Sequence, residues 1–373
     1  MLNNIKPTKT YILGLGILLL TWQSYAQKND NVRARDLGII PGYFPSGKWN
    51  AITDVPGVKV GHISLIKQSK GMQTGVTAIL PHGGNLYQEK VPAGFFQANG
   101  YGKMMGISQI VELGEIETPI LLTNTLNVAD CAQGIIEWTL NLPGNEQVKS
   151  VNAVVGETND GRINDIRQRF VKKEHALSAI TKAKSGPVAE GNVGAGSGTV
   201  AFGYKAGIGT SSRKIGEYSL GVLVQANYGG DLHVLGVPVG RQLKSIQAQK
   251  TGPDGSVMII LATDAPLSDR NLTRLAKRAM LGIGRTGGVM SNGSGDYVVA
   301  FSTSEQVRRL VGAKTITANS LSNSEMTPLF SAAIEATEEA VYNALIAAKP
   351  AGDYQPMPIK SLMPLLKHRL ILN

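Results

Sequence analysis

Thr251-Gly252-Pro253-Asp254-Gly255-Ser256-Val257-Met258-Ile259-Ile260-Leu261-Ala262 passes from a polar turn into an apolar strand in one step, and a serine sits at the junction. Glycine, proline and aspartate together mark a turn, and the apolar run bounded by it reads as a buried strand. Hydrolysis of the bond before Ser256 gives that serine a free α-amine beside its own hydroxyl. An α-amine has a pKa of about 8, so an appreciable fraction is unprotonated near neutral pH. It can then serve as the base that a serine hydroxyl otherwise lacks. Gly255 carries no side chain to obstruct attack on its carbonyl. A Gly-Ser pair is common and mostly structural, so on these residues alone the reading stands beside several others.

Working outward, apolar runs alternate with polar turns. Val58 to Ile63, Val76 to Leu80, Ile120 to Leu122, Ala153 to Gly156, Leu220 to Val224 and Tyr297 to Phe301 read as strands. Two of them end in polar clusters, Thr123-Asn124-Thr125 and Glu157-Thr158-Asn159-Asp160. Val128 to Leu140 has helical spacing. Ser268 caps a second helix, whose stripe of Leu272, Leu275, Ala276, Ala279 and Met280 is expected to end at Gly282. Thr327-Pro328 opens a third, packed through Leu329, Ala333, Ala336, Ala340 and Leu345. The irregular opening, with Pro41, Gly42, Pro45 and Gly47, is expected to lie on the domain as an arm, and Arg241 to Asp254 as an exposed connection. Mixed elements without an internal repeat or a clean linker fit helices covering a sheet core, or stacked sheets with helices outside.

The 373 residues suffice for one large domain or two ordinary ones. Lys6 and Lys9, then the apolar run Tyr11 to Leu20, then Ser24-Tyr25-Ala26 predict a secretory signal peptide at residues 1–26, cut before Gln27. The apolar run is too short to cross a bilayer comfortably, and no cysteine follows it to take a lipid. An exported, soluble protein is expected, periplasmic or secreted, with no membrane partner. The lone Cys131 excludes an internal disulfide and reads as a small buried side chain. The formal charge of +10 falls to +8 without the leader. The basic residues are scattered without interleaved aromatics, which argues against nucleic acid as a partner.

Four constellations compete for the chemistry. The run Gly191-Asn192-Val193-Gly194-Ala195-Gly196-Ser197-Gly198 lacks the Lys-Ser/Thr ending of a phosphate-binding loop, so tight turns explain it better. His62, His82, His175, His233 and His368 show no metal-ligand spacing, so no metal or other cofactor is implied. No GxSxG marks a conventional serine nucleophile, although a distant histidine converging on a serine stays open. Self-cleavage at Gly255-Ser256 is the fourth.

Several segments, in order, resemble the family that includes L-aminopeptidase/D-esterase and the β-peptidyl aminopeptidases. They are Ile52 to His62, Glu117-Thr118-Pro119-Ile120, Glu190 to Gly196, Leu223 to Gly229, Asp254-Gly255-Ser256 and Gly293-Ser294-Gly295-Asp296. The likeness spans nearly all of the chain after the leader. It implies an α/β fold, a four-layer αββα sandwich similar to the N-terminal-nucleophile hydrolases but with its own strand connectivity. It also implies one peptidase domain, self-cleaved into associated products 27–255 and 256–373, and a homo-oligomer. By the same resemblance Ser256 is the nucleophile and Asn227 the oxyanion donor. Ser294 and Asp296 orient Ser256 and hold its amine when charged, although the family members most similar to this chain have glutamate at the latter position. Glu117 is the expected anchor for a substrate ammonium. The family also has an aromatic hydroxyl near the oxyanion, which the resemblance does not assign to a residue here; Arg162 lies near its place, and the second oxyanion donor is open.

The implied activity is release of N-terminal residues from small peptides, amides or esters, with β- and D-amino residues both open. Acyl transfer through the same serine ester is the enzymatic alternative. An exported binding protein without catalysis is the other.

Overall fold

The structure is a computed structural model that describes residues 32–243, 255–315 and 319–370. The predicted leader and the turn 251–254 lie outside the described residues, as does most of the expected connection before it. From Arg33 onward the chain forms one unit.

The first half carries β1 (Lys59–Lys67), β2 (Met72–Leu80), β3 (Glu89–Gly100), β4 (Met104–Met105), α1 (Ile107–Leu113), β5 (Glu115–Ile116), β6 (Ile120–Asn124), α2 (Val128–Leu140), β7 (Val154–Thr158) and α3 (Lys173–Thr181). The second half carries β8 (Val200–Ala201), β9 (Tyr204–Lys205), β10 (Ile208–Ile215), β11 (Tyr218–Asn227), α4 (Val239–Leu243), β12 (Ser256–Thr263), α5 (Asp269–Arg285), β13 (Gly295–Ser302), β14 (Arg309–Leu310), α6 (Met326–Ile346) and α7 (Ile359–Leu370). One sheet has the order β1-β2-β6-β7-β4. The second has the order β10-β11-β12-β13-β3-β14, with β5 also paired to β3.

Period-two alternation along the central strands divides the apolar side chains among three cores. Val257, Ile259 and Leu261 face Leu272 and Leu275 of α5 and Ala336 and Ala340 of α6. Met258 and Ile260 point the other way, with Leu223, Val299 and Phe301, to meet Val60, Ile79, Ile120, Leu122 and Val154 of the first sheet. Val76, Ala78, Leu121 and Val155 face outward again, against Val128, Cys131 and Ile135 of α2 and Ala176 and Ile180 of α3. Helices, sheet, sheet, helices: this is the four-layer αββα sandwich. Cys131 is fully buried, and burial pushes its thiol up to about 12, which leaves it inert.

Three expectations change. Gly282 does not end its helix, which runs on to Arg285. A Cβ there would lie 2.7 Å from the Ile334 carbonyl oxygen and 2.7 Å from Thr337 Cβ, so this glycine permits the close crossing of α5 and α6. The two strands β3 and β10 had no sequence expectation at all. Several strands run longer than their apolar cores, notably β11 to Asn227 and β12 from Ser256 itself. The opening segment does lie on the domain, tied down by ion pairs. Arg33 pairs with Glu190 at 2.7 Å, and Arg35 with Glu339 at 2.9 Å.

Candidate active site

Both sheets open at one end, and the polar strand ends collect there. A cavity of about 890 Å³ is lined by the exit of β3 (Tyr101, Lys103), the exits of β6 and β7 (Thr125, Glu157, Asn159, Arg162), the last residue of β11 (Asn227) and the first of β12 (Ser256). The parallel pairing of β6 with β7, and of β12 with β13, is what brings these ends to the same side.

Ser256 and Asn227 are register partners across the antiparallel β11–β12 ladder. Alternation then puts both side chains on the face between the sheets, with Met258 and Leu223 behind them. Asn227 Nδ2 donates to the Asn159 carbonyl at 3.0 Å and lies 3.5 Å from Ser256 Oγ, while its Oδ1 accepts from the Val200 N–H at 3.0 Å. Backbone groups on both sides therefore fix which way the amide faces. Val200 belongs to the small β8–β9 hairpin, whose turn residue Phe202 is left-handed, with φ 52°. The Phe202 N–H donates to the Tyr228 carbonyl at 2.8 Å, which anchors that hairpin beside Asn227.

On the other edge of β12, the parallel ladder pairs Ser256 with Gly295. The Gly295 N–H donates to the Gly255 carbonyl at 3.2 Å, so the carbonyl preceding Ser256 is held and polarised by backbone. A Cβ on Gly255 would meet the Asn227 carbonyl oxygen at 2.3 Å and Tyr228 Cα at 2.5 Å. Only glycine fits between β11 and the start of β12. Ser294 and Asp296 flank Gly295, and Ser294 Oγ donates to Asp296 Oδ1 at 2.7 Å. Asp296 Oδ2 is buried without a hydrogen-bond partner. Burial pushes the Asp296 carboxyl up to about 6, against the pull of the Ser294 hydroxyl and the Val257 N–H. Val257 is the residue after Ser256, so this acceptor short of donors is bonded one residue along the chain from the nitrogen that cleavage would liberate.

Ser256 and Asn227 face each other in the cavity, Ser294 and Asp296 are bonded to each other at the start of the neighbouring strand outside its lining, and Glu117 joins neither pair. Glu117 lies before β6, at the end remote from Thr125. Its carboxylate is buried against Lys90 (2.8 Å), Gln109 Nε2 (3.0 Å) and the Asn152 N–H (2.9 Å). Burial raises its pKa, and the bonds from Lys90, Asn152 and Gln109 outweigh that and leave it below the usual value. The carboxylate in the cavity is Glu157. Its Oε1 accepts from the Lys103 N–H at 3.1 Å and Lys103 Nζ at 3.2 Å, and its Oε2 from the Thr125 hydroxyl. Sequence reasoning passed over it, although its place at the polar end of an apolar strand was the available signal. Among the described residues, no histidine lines this cavity. His62 accordingly stays in the β1–β2 region, bonded to Thr77 at 2.9 Å, where burial lowers its pKa to about 4.

Residues 50–356 match the model of peptidase family S58. The chain is 43% identical over 352 residues to a beta-peptidyl aminopeptidase, BapA, of Sphingosinicella microcystinivorans, covering 87% of each. Among solved structures it is similar to the PH0078 protein of Pyrococcus horikoshii OT3, with a TM-score of 0.83, 46% identity, and 91% of this chain and 99% of that one covered. It is also similar to the L-aminopeptidase D-Ala-esterase/amidase of Ochrobactrum anthropi, a serine aminopeptidase described as a variant of the Ntn hydrolase fold. That TM-score is 0.85 at 36% identity, covering 90% of this chain and 98% of that one.

Proposed function

The chain belongs to peptidase family S58 and is an aminopeptidase of the N-terminal-nucleophile kind; we propose that it matures by cutting itself between Gly255 and Ser256, and that Ser256 then carries the reaction. The observation that supports this best is the pairing of Ser256 with the oriented Asn227 amide, at the point where the Gly255 carbonyl is held by Gly295.

In maturation Ser256 Oγ attacks the Gly255 carbonyl, the acyl group moves from nitrogen to oxygen, and water cleaves the resulting ester. The freed α-amine stays beside Asp296. In turnover it takes the proton from Ser256 Oγ as the oxygen adds to the substrate carbonyl. The oxyanion forms towards Asn227 Nδ2. The leaving amine collects the proton from the α-ammonium, and water then hydrolyses the acyl-serine. Glu157 binds the ammonium of the substrate, which explains selection for a free amino end. β-Amino acyl residues are substrates, in keeping with the β-peptidyl relative. We propose further that the protein is exported after removal of residues 1–26, and that both products remain together in a homo-oligomer. Intact mass and N-terminal sequencing of the purified protein test the scheme. They should find a chain beginning Ser-Val-Met-Ile; active material consisting only of uncut chain would overturn it.

Gly255→Ala should slow maturation. The added Cβ meets main chain of β11 rather than a movable side chain. Overpacking of this kind costs about 1–3 kcal/mol, or roughly 5- to 150-fold in rate when it distorts the attack geometry. A time course of the two bands on a denaturing gel measures it, and processing at the normal rate would exclude the steric role.

The pH profile carries a second signature. The Ser256 amine must be neutral to accept a proton, so activity rises with pH through the amine pKa. A nearby carboxylate favours the ammonium and therefore raises that pKa. Asp296 ionises above about 6 and so exerts this effect over the working range. Asp296→Asn should shift the acid limb of kcat/KM to lower pH, by about half a unit or more, as well as lowering the plateau. An acid limb that stays in place would remove Asp296 from contact with the amine.

A further inference from the structure

We propose that the Glu157–Lys103 pair reads a zwitterionic head group, so that peptides beginning with a β-aspartyl residue are substrates; this rests on the aminopeptidase reading above. In such a residue one carbon bears both the ammonium and a carboxylate, and the scissile carbonyl is one methylene away. It is a β-amino acyl group with a negative charge at the amine-bearing carbon.

The pair is asymmetric. The Glu157 side chain is 4% exposed, and that of Lys103 is 50% exposed. Two of the groups that hold the Glu157 carboxylate are fixed, the Lys103 N–H and the Thr125 hydroxyl on the strand exit. The third, Lys103 Nζ, ends a flexible, half-exposed chain. An incoming ammonium competes for the carboxylate with Nζ, the one movable donor of the three, and displaces it. The lysine cannot go far, because its own backbone N–H stays bonded to the same carboxylate.

The displaced Lys103 ammonium therefore remains within a side chain's reach of the amine-bearing carbon. When that carbon carries only hydrogen, as in a β-alanyl group, the lysine has lost its ion pair and gained nothing. Lys103 is then a competitor for Glu157. When the carbon carries a carboxylate, Lys103 pairs with it while Glu157 takes the ammonium. One ion pair is exchanged for two of alternating sign. Arg162 lines the same cavity and adds positive potential there.

The chemistry is that of the main reaction. Ser256 Oγ bonds to the side-chain carbonyl carbon of the aspartyl residue. The C–N bond to the next residue breaks, and the leaving amine takes the proton held by the α-ammonium. Water hydrolyses the ester and releases free aspartate.

The test uses mature enzyme with β-aspartyl and β-alanyl p-nitroanilides, which share a leaving group. Lys103→Met should lower KM for the β-alanyl amide and raise it for the β-aspartyl amide. The ratio of kcat/KM, β-aspartyl over β-alanyl, should fall about tenfold, the scale of a half-exposed charge contact made twice over. Lys103→Arg should keep most of that ratio, and Arg162→Gln should change it less than Lys103→Met does. An unchanged ratio in Lys103→Met overturns the proposal, as does wild-type enzyme that cleaves the β-alanyl but not the β-aspartyl amide. Normal processing and an unchanged melting temperature in Lys103→Met show that the comparison is of folded enzymes. Wild-type protein that cleaves neither amide and contains no chain starting at Ser256 would instead refute the underlying aminopeptidase scheme.

Discussion

Ser256→Ala is expected to yield a single chain that spans the Gly255–Ser256 bond and has no measurable aminopeptidase activity, a loss of at least about 10⁴-fold. One oxygen is removed, and with it the attacking group of both maturation and turnover. The α-amine is never liberated either, so the base is lost along with the nucleophile. The fold should survive. Ser256 is a small buried residue, and the Asn227 amide that faces it keeps its bonds to the Asn159 carbonyl and the Val200 N–H. No buried polar group is orphaned, so the melting temperature should move little. Gel electrophoresis, calorimetry and an amide-release assay on the same preparation separate the possibilities. A variant that still splits into two chains would require another attacking group, and one that unfolds would make the comparison structural.

A turn, an apolar strand and glycine at the cleavage position made that serine a candidate, and the resemblance of the segments around it singled it out. Patterning also marked β12 as a buried strand, since Val257 to Ala262 is apolar throughout and both of its faces are covered. Where the reading failed, polar residues were buried by partners remote in sequence. β10 reads Ile-Gly-Thr-Ser-Ser-Arg-Lys-Ile, which lacks any apolar period. It is a strand because Ser211 Oγ donates to the Ala336 carbonyl, and Arg213, wholly buried, pairs with Glu339 at 2.8 Å. β3 contains Pro92, which argues against a strand, yet the pairing there is only with the short β5. Glu117 and Glu157 illustrate the same limit within the site. Each is a glutamate beside an apolar strand, and nothing local distinguishes them. Only the direction of β6 and β7 decides that one end faces the cavity and the other faces Lys90.

Asn227→Ala should reduce kcat by about 10²–10³-fold with KM little changed, the scale seen when one oxyanion donor is lost. The ground-state contact to Ser256 Oγ is long, at 3.5 Å, so the amide contributes little before attack and more as negative charge develops. Part of any loss is structural. Truncation leaves the Val200 N–H and the Asn159 carbonyl without their partner, which costs about 1–3 kcal/mol of stability per buried group. Asn227→Asp keeps an acceptor for Val200 and nearly the same volume, yet sets a negative oxygen against both the Asn159 carbonyl and the forming oxyanion. Turnover in Asn227→Asp should therefore fall below that of Asn227→Ala, although only Asn227→Ala leaves the Val200 N–H without an acceptor. Maturation should be less sensitive than turnover in either variant. The Gly255 carbonyl already receives the Gly295 N–H at 3.2 Å, a donor that no side-chain substitution removes. Two bands that still form, more slowly, from protein with almost no peptidase activity would bear this out. Equal losses in both steps would mean that Asn227 is the principal oxyanion donor in maturation as well.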